Sequence, residues 1–522
     1  MKEHKEIAIG IDFGLTNSLV AVCINNEIKI IPNEIGDFKT PSKVIFSGDQ
    51  VYIGEETYYK IIKNPENIIY GVKRLIGRYF EEKDIQKEIN QYLSYKVEAG
   101  EKTKKGHLSI IIVDYKNKKH KFSPEKIVSL ILKKLKKNAE SFLDTEVKYC
   151  VVSIPSYFRE EQKTAMIKSC NEAGLEVFRV ISESEATVLS YGLKVEKEKQ
   201  NILIFKLEKE IFEISIIEIK NNGITNKGKY EDLHFGGEDF DNALVDYFIN
   251  LYNEIKKQKI NKYKDEKPFK RLKIACNMIK KKLSIKEKDY LYIENFEGDE
   301  DFSSTITRDL FEKICSHLFN KCISSIRDLL DKIGISSNDI GNVIFIGGAT
   351  KIPKFKEIIK NIFGLEPYTS IDPVNAVVYG SAIEASRLLK LNNIKKREKD
   401  INNSVLTKII KEKEEIIKNQ NIKIKELEEK INNINSNSHK QDNLISIIIQ
   451  SDDENILCSF ICNDSDIFLD IEKKIYNKYP NYNKKNNIFI SNDRKIDKNN
   501  SLKENNIKDN DIIILKLGNI DK

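Results

Sequence analysis

Three glycine-bearing junctions and one charged turn define the chemistry open to this 522-residue chain. Gly14 follows Asp12 between two apolar runs, Gly236-Gly237 opens a helical segment, and Gly347-Gly348 separates a buried strand from a helix start. Junctions of this kind aim backbone N–H groups at one point, and a residue without Cβ lets an anion approach them closely. The chemistry implied is anion binding, phosphate above all. The same glycines are equally explained as plain turns. The stretch Ile202–Ile219, ILIFKLEKEIFEISIIEI, carries a charged turn that would repel any phosphate brought beside it. It reads as two apolar strands joined by the tight turn Glu208-Lys209-Glu210. A carboxylate about 5 Å from one phosphate charge costs roughly 3 kcal/mol at an effective dielectric near 20, about two decades of affinity. Lys209 offsets part of that cost.

The elements that must hold these residues are strands and helices in alternation. Ile7 to Ile24 reads as a buried strand, a turn and a second strand. Val151 to Phe158 is a strand ending in a proline–aromatic corner, followed by a helix to Cys170 that Gly174 stops. Val343 to Pro353 is a strand, a glycine pair and a helix start. Arg271 to Ser284 is an amphipathic helix on which Asn277, Lys280, Lys281 and Ser284 share one face, expected to be solvated. An α/β fold is therefore predicted.

Composition bounds the rest. A hydrophobic content of 40% supports sizeable cores, and the length allows several domains. The net charge of +7 comes from 87 basic and 80 acidic residues that are interleaved, so no patch suited to nucleic acid is expected. Abundant lysine, asparagine and isoleucine read as background bias. Cys23, Cys150, Cys170, Cys276, Cys315, Cys322, Cys458 and Cys462 form no CxxC pair and read as reduced packing residues of a cytoplasmic protein, the nucleus remaining open to it. No apolar run approaches the 18 or so residues of a membrane span, and no leader precedes Ile7.

The blocks IGIDFGLTNS, GVKRLIGR, VVSIPSYF, HFGGEDFD, RLKIACNMIKKKLS and VIFIGGATKIP stand in an order and spacing that resembles the heat-shock-70 chaperone family, from about Ile7 to Leu389. The resemblance implies an actin-like (ribonuclease H-like), two-lobed ATPase body over residues 1–390, with ATP or ADP and Mg2+ as cofactors. It places Asp12, Lys73, Glu183 and Glu213 at catalytic positions, Asp12 holding the metal through water. It places Gly14, Thr16, Asn17, Gly236, Gly237, Glu238, Lys280, Lys281, Ser284, Gly347, Gly348 and Lys351 around the nucleotide. The chain departs from the family where phosphate would bind. Glu208-Lys209-Glu210 replaces a run of glycines, Lys206 an aspartate, Ile211 a threonine and Leu15 a hydroxyl. Asn277 and Lys281 replace a glutamate and an arginine at the adenine clasp, and Lys351 an arginine. A lysine lacks the planar guanidinium that stacks on a base. Asp12 as a simple turn cap and Glu183 as a surface acid are the competing readings.

Beyond Leu389 the family's peptide-binding β-sandwich is not recognisable. Residues 391–440 read as a helix and linker: Ile410, Ile417, Ile424 and Ile431 lie seven apart, with Leu406, Leu427 and Ile434 at the second apolar position of the heptad, which predicts a coiled-coil homodimer. A lone helix packing on the lobes is the alternative. Residues 441–522 run strand, strand, helix, strand, short turn, strand, an order that resembles the β-grasp of ubiquitin without its di-glycine tail. The functional expectation is an adaptor with a degenerate ATP site, meeting co-chaperone-type proteins through its body and ubiquitin receptors or the proteasome through its end. The alternatives are an ATP-hydrolysing chaperone and a purely structural dimeric scaffold.

Overall fold

The computed structural model describes all residues except 1–5, 61–64, 194–198, 221–222, 258–265, 397–412, 414–443, 453–456, 484–486 and 518–522. It divides into two compact units, Met1–Asn402 and Asn403–Lys522.

Strands Ala8–Asp12 and Tyr149–Ile154 are buried along their whole length, as an apolar strand covered on both faces must be. They pair in parallel at the centre of a sheet ordered Glu176–Ser182, Tyr149–Ile154, Ala8–Asp12, Asn17–Ile24, Glu27–Ile30. The last two strands are antiparallel, because tight turns connect them. Helices Pro124–Leu143 and Glu160–Glu172 cover this sheet, and their apolar residues join its core through Ile127, Leu132 and Met166. Gly174 ends the second helix with φ +78°, as its place in the sequence predicts.

A second sheet is ordered Gly223–Asp232, Phe212–Lys220, Gln200–Leu207, Ile340–Ile346. The predicted hairpin is its centre, with the turn at Glu208–Ile211 closed by the Glu208 N–H donating to the Ile211 carbonyl at 2.9 Å. Helices Gly237–Lys256, Ser316–Ile333 and Pro353–Phe363 supply its core with Phe240, Ile326 and Phe355. The two lobes thus have separate hydrophobic cores. A third cluster, including Val151, Ile181, Ile204, Ile344 and Val377, packs between the sheets. Close approach there depends on Gly380, in the helix over residues 376–396, since a Cβ on it would stand 1.7 Å from the Ala186 carbonyl.

The second unit carries a five-stranded sheet ordered Leu457–Asn463, Leu444–Ser451, Asp511–Lys516, Ile488–Ser491, Arg494–Lys495. Leu444–Ser451 is parallel to Asp511–Lys516, and helix Phe468–Lys478 packs Phe468, Ile471 and Ile475 against Ile447, Ile449, Phe489 and Ile513. These elements lie where the sequence predicts them. The heptad segment from Leu406 to Ile434, apart from one helical residue at Lys413, is outside the described residues. All eight cysteines are free thiols, seven of them buried. No described helix is long and apolar enough to cross a membrane.

Candidate functional site

The ends of several elements converge between the lobes. Asp12 is the last residue of its strand and sits in register with Ser153, whose hydroxyl lies 3.3 Å from Asp12 Oδ1. Lys73 lies in the turn Val72–Arg74, which Gly71 introduces with φ +63°. Glu183 is the first residue of helix Glu183–Ser190, capped by the Ser182 side chain. Lys206 and Glu213 face each other across the central hairpin as a registered pair.

These groups form one ion-pair cluster. Lys73 Nζ donates to Glu183 Oε1 at 2.8 Å, and Lys206 Nζ donates to Glu183 Oε2. Lys206 also lies 3.6 Å from Glu208. Glu213 Oε1 accepts from Ser156 at 2.6 Å and from Ser215 at 3.0 Å, which ties the first lobe to the second. Lys73, Glu183, Lys206 and Glu213 are all less than 5% exposed. Burial alone raises the Glu183 carboxyl, but the ammonium groups of Lys206 and Lys73 outweigh it and hold it down to about 2. Asp12 goes the other way. Its burial, reinforced by Glu183, pushes its carboxyl up to about 7 against the pull of Lys73 and Lys206. Burial disfavours the Lys206 ammonium, yet Glu183, Glu208 and Glu213 together leave it charged, well above the ordinary range. An ammonium on the hairpin strand therefore supplies the positive charge that these carboxylates require.

At Gly236, Gly237 and Gly347 the space predicted to admit an anion is taken by backbone. The carbonyl of Glu208 accepts from the Gly237 N–H at 2.7 Å, and that of Lys209 accepts from the Glu238 N–H at 2.8 Å. The charged turn itself thus caps the N-terminus of helix Gly237–Lys256, and the Gly236 N–H is taken by Asp239 Oδ2 at 2.7 Å. A Cβ on Gly236 would meet the Lys209 carbonyl at 2.5 Å, and one on Gly347, at φ +88°, would meet the Leu207 carbonyl at 2.4 Å. These glycines are required by chain packing, whatever else approaches them.

The helix of Asn277, Lys280, Lys281 and Ser284 corrects the expectation of one solvated face. Lys280 is buried, with its ammonium 2.8 Å from Asp241 Oδ1 and donating to the Gly237 carbonyl. Asn277 donates to Asp241 Oδ2 at 2.9 Å, Lys281 is exposed, and the Ser284 hydroxyl bonds back to the Lys280 carbonyl at 3.1 Å. Contact with Asp241 and Gly237 of the helix Gly237–Lys256 divides the row. Lys351 pairs with Asp372 at 2.6 Å on the surface, and Glu238 pairs with Lys209 at 3.1 Å and with Lys273. Thr16 contributes its carbonyl to the Ser42 N–H at 2.9 Å, Asn17 begins its strand, and Leu15 is buried. Sequence reasoning missed Ser153, Ser156 and Asp241. Asp241 had a signal, standing one helical turn beyond Gly237 and so under the same end of the helix.

A cleft of about 580 Å³ lies elsewhere, between helices Ser316–Ile333 and Pro353–Phe363, and includes Ile323, Leu330, Ile358 and Ile362. None of the clustered charges reaches it, so charge convergence and not open volume identifies the candidate site. Among the described residues no group of three or more His, Cys, Asp or Glu side chains is arranged to hold a metal ion.

The family profile described as "Hsp70 protein" matches residues 8–393. The chain is 35% identical over 385 residues to heat shock cognate 70 kDa protein 3 of Dictyostelium discoideum, an alignment covering 73% of this chain and 60% of that relative.

Proposed function

The chain belongs to the heat-shock-70 family, and from that premise we propose that it is a chaperone-related adaptor whose ATP site has been converted into an internal ion-pair cluster. The observation that carries this reading is the Lys73–Glu183–Lys206 triad. The family's nucleotide is ATP or ADP with Mg2+, and the residues present do not fit that group. Lys206 places a fixed positive charge where a cation would otherwise balance Asp12, Glu183 and Glu213, so a divalent ion would meet it as a like charge. The helix N-terminus at Gly237 has spent its N–H groups on the turn carbonyls, and Glu208 and Glu210 stand where phosphate charge would fall. The rival reading, an ATP-hydrolysing chaperone, draws support from the convergence of Asp12, Lys73, Glu183 and Glu213 on one point.

Titration calorimetry of the full-length chain with magnesium ATP separates the two. The adaptor reading expects binding weaker than about 100 µM and no turnover, since two carboxylates facing phosphate remove several decades of affinity. Submicromolar binding with phosphate release would establish the enzyme instead.

For the second unit we propose a ubiquitin-like contact role. Its core takes Ile447, Ile449, Ile513 and Phe489, and strand alternation then turns Ile448, Ile490, Ile512 and Ile514 to the other face. Ile512 is 52% exposed and Ile461, on the edge strand beyond Leu444–Ser451, 77%. An outward apolar row of this extent suits a protein partner better than water. Full-length chain is expected to bind a purified ubiquitin receptor, and Ile512→Asp to weaken that binding at least tenfold with circular dichroism unchanged. Equal binding by the variant would return the unit to a structural role.

A further inference from the structure

A second set of contacts crosses the mouth of the cleft, and the ion-pair cluster does not account for it. Helix Lys83–Gln91 and the turn carrying Arg74 belong to the first lobe, whose core includes Leu75, Ile76 and Ile85. Glu210 and His234 belong to the second, flanking Phe212 and Phe235 of its core. Between them, Arg74 Nη1 lies 3.1 Å from Glu88 Oε1, and Arg74 Nη2 lies 3.4 Å from Glu210 Oε2. His234 Nε2 lies 2.8 Å from the same Glu88 oxygen, and its ring stacks on Tyr92 with centroids 3.8 Å apart and planes 13° from parallel. The Glu88 carboxylate accepts only if Nε2 carries the proton, which fixes the tautomer of neutral His234. Arg74 and Glu88 are both buried, with side chains 8% and 7% exposed.

We propose that Arg74, Glu88, Tyr92, Glu210 and His234 form a clasp that holds the two lobes closed with no nucleotide between them. The lobes have separate main cores and meet through the third cluster between their sheets, so the opening at the cleft mouth is set by the contacts that cross it. In this chain one guanidinium bridges a carboxylate from each lobe, and an aromatic stack closes beside it. Each contact pairs a first-lobe group with a second-lobe group, apart from the Arg74–Glu88 pair that anchors the arginine. The Ser156–Glu213 hydrogen bond adds a tie deeper in the cleft. Glu210, which opposes phosphate in the turn, here serves as the second-lobe half of an ion pair. The clasp rests on the reading of the cleft as nucleotide-independent.

Hydrogen–deuterium exchange on the full-length, nucleotide-free protein tests this. Segments 71–79, 83–92, 208–212 and 233–239 are expected to be protected in the unmodified chain, and added magnesium ATP is expected to leave their rates unchanged. Arg74→Ala with His234→Ala should raise exchange about tenfold in all four segments at once, while strands 149–154 and 202–206 keep their rates, the pattern of two lobes swinging apart as units. Glu88→Gln, which keeps the shape and removes the charge, should give a smaller rise of about threefold in the same segments and serves if the double variant fails to fold. Rates in the variants equal to those of the unmodified chain would overturn the clasp. A slowing by magnesium ATP in the unmodified chain would instead overturn the nucleotide-independent reading, so the two failures are distinct.

Discussion

Replacing Glu183 with glutamine is expected to destabilise the chain by about 4 kcal/mol, because it strands two buried ammonium groups whose common counter-ion it removes. Lys73 and Lys206 are 4% and 2% exposed, so neither can turn to water without opening the cleft. The substitution preserves volume, and the amide oxygen can still accept one hydrogen bond. The amide NH2, however, must face the other ammonium, which leaves one of the two lysines without an acceptor. The chain has no tryptophan, so urea unfolding followed by far-ultraviolet circular dichroism is the suitable measurement. The pH dependence supplies a second readout. The folded Glu183 carboxyl, held down to about 2 from an ordinary 4.5, contributes stability that is complete above the ordinary value and lost as pH falls from 4.5 toward 2. The variant should lack that loss, so the two proteins converge in acid. A difference under about 1 kcal/mol at pH 7, constant down to pH 3, would mean that the triad contributes little to holding the cleft together.

Lys206→Asp is expected to have a larger effect in the absence of metal and a partial remedy in its presence. It removes the cation from the cluster and adds a carboxylate beside Asp12, Glu183 and Glu213, leaving Lys73 as the one ammonium there. Like charges at such burial cannot all ionise, and a loss of about 5 kcal/mol follows, moderated by proton uptake. The arrangement then has the carboxylate excess that a hard divalent cation requires, since Mg2+ is bound through oxygen ligands and retained water. Added Mg2+ at about 100 times its dissociation constant would return roughly 2.7 kcal/mol. Thermal unfolding should accordingly show a midpoint that rises with Mg2+ in Lys206→Asp and does not move in the unmodified chain. If the midpoint responds in both proteins, Lys206 does not exclude the ion. If it responds in neither, the cluster is not a cation site with an ammonium in the cation's place. Asp12 bears on this through its proton. Its carboxyl, pushed up to about 7 in the folded state, takes up a proton that the unfolded chain releases near its ordinary value, so it costs stability progressively as pH rises from about 4 to 7.

The order of strands and helices was legible because local signals and burial agree. Buried strands such as Tyr149–Ile154 have no exposed face to offer, Gly174 ends its helix in the left-handed region, and Gly236 leaves room for the Lys209 carbonyl at the start of another. The second unit's strands were readable from alternation, which assigns Ile447 and Ile449 to one face before any contact is known. The hairpin and its charged turn were explicit in the residues. The sequence could not decide what each charge meets. Lys73, Glu183 and Lys206 lie more than a hundred residues apart at their extremes, and only the stacking of two sheets brings them within hydrogen-bond distance. The face of the helix Glu266–Leu283 was misjudged for the same reason: spacing of three and four places Lys280 and Lys281 side by side, while the neighbouring helix buries one against Asp241 and leaves the other in water. Glu208 and Glu210 show the limit most clearly. By type alone they are repellent to phosphate; Glu208 meets Lys206 two residues before it and Glu210 meets its neighbour Lys209, but Glu210 also meets Arg74, which only the opposite lobe brings to it. Charge is a property of the residue, whereas pairing depends on distance and dielectric, and both of those are fixed only when the lobes pack.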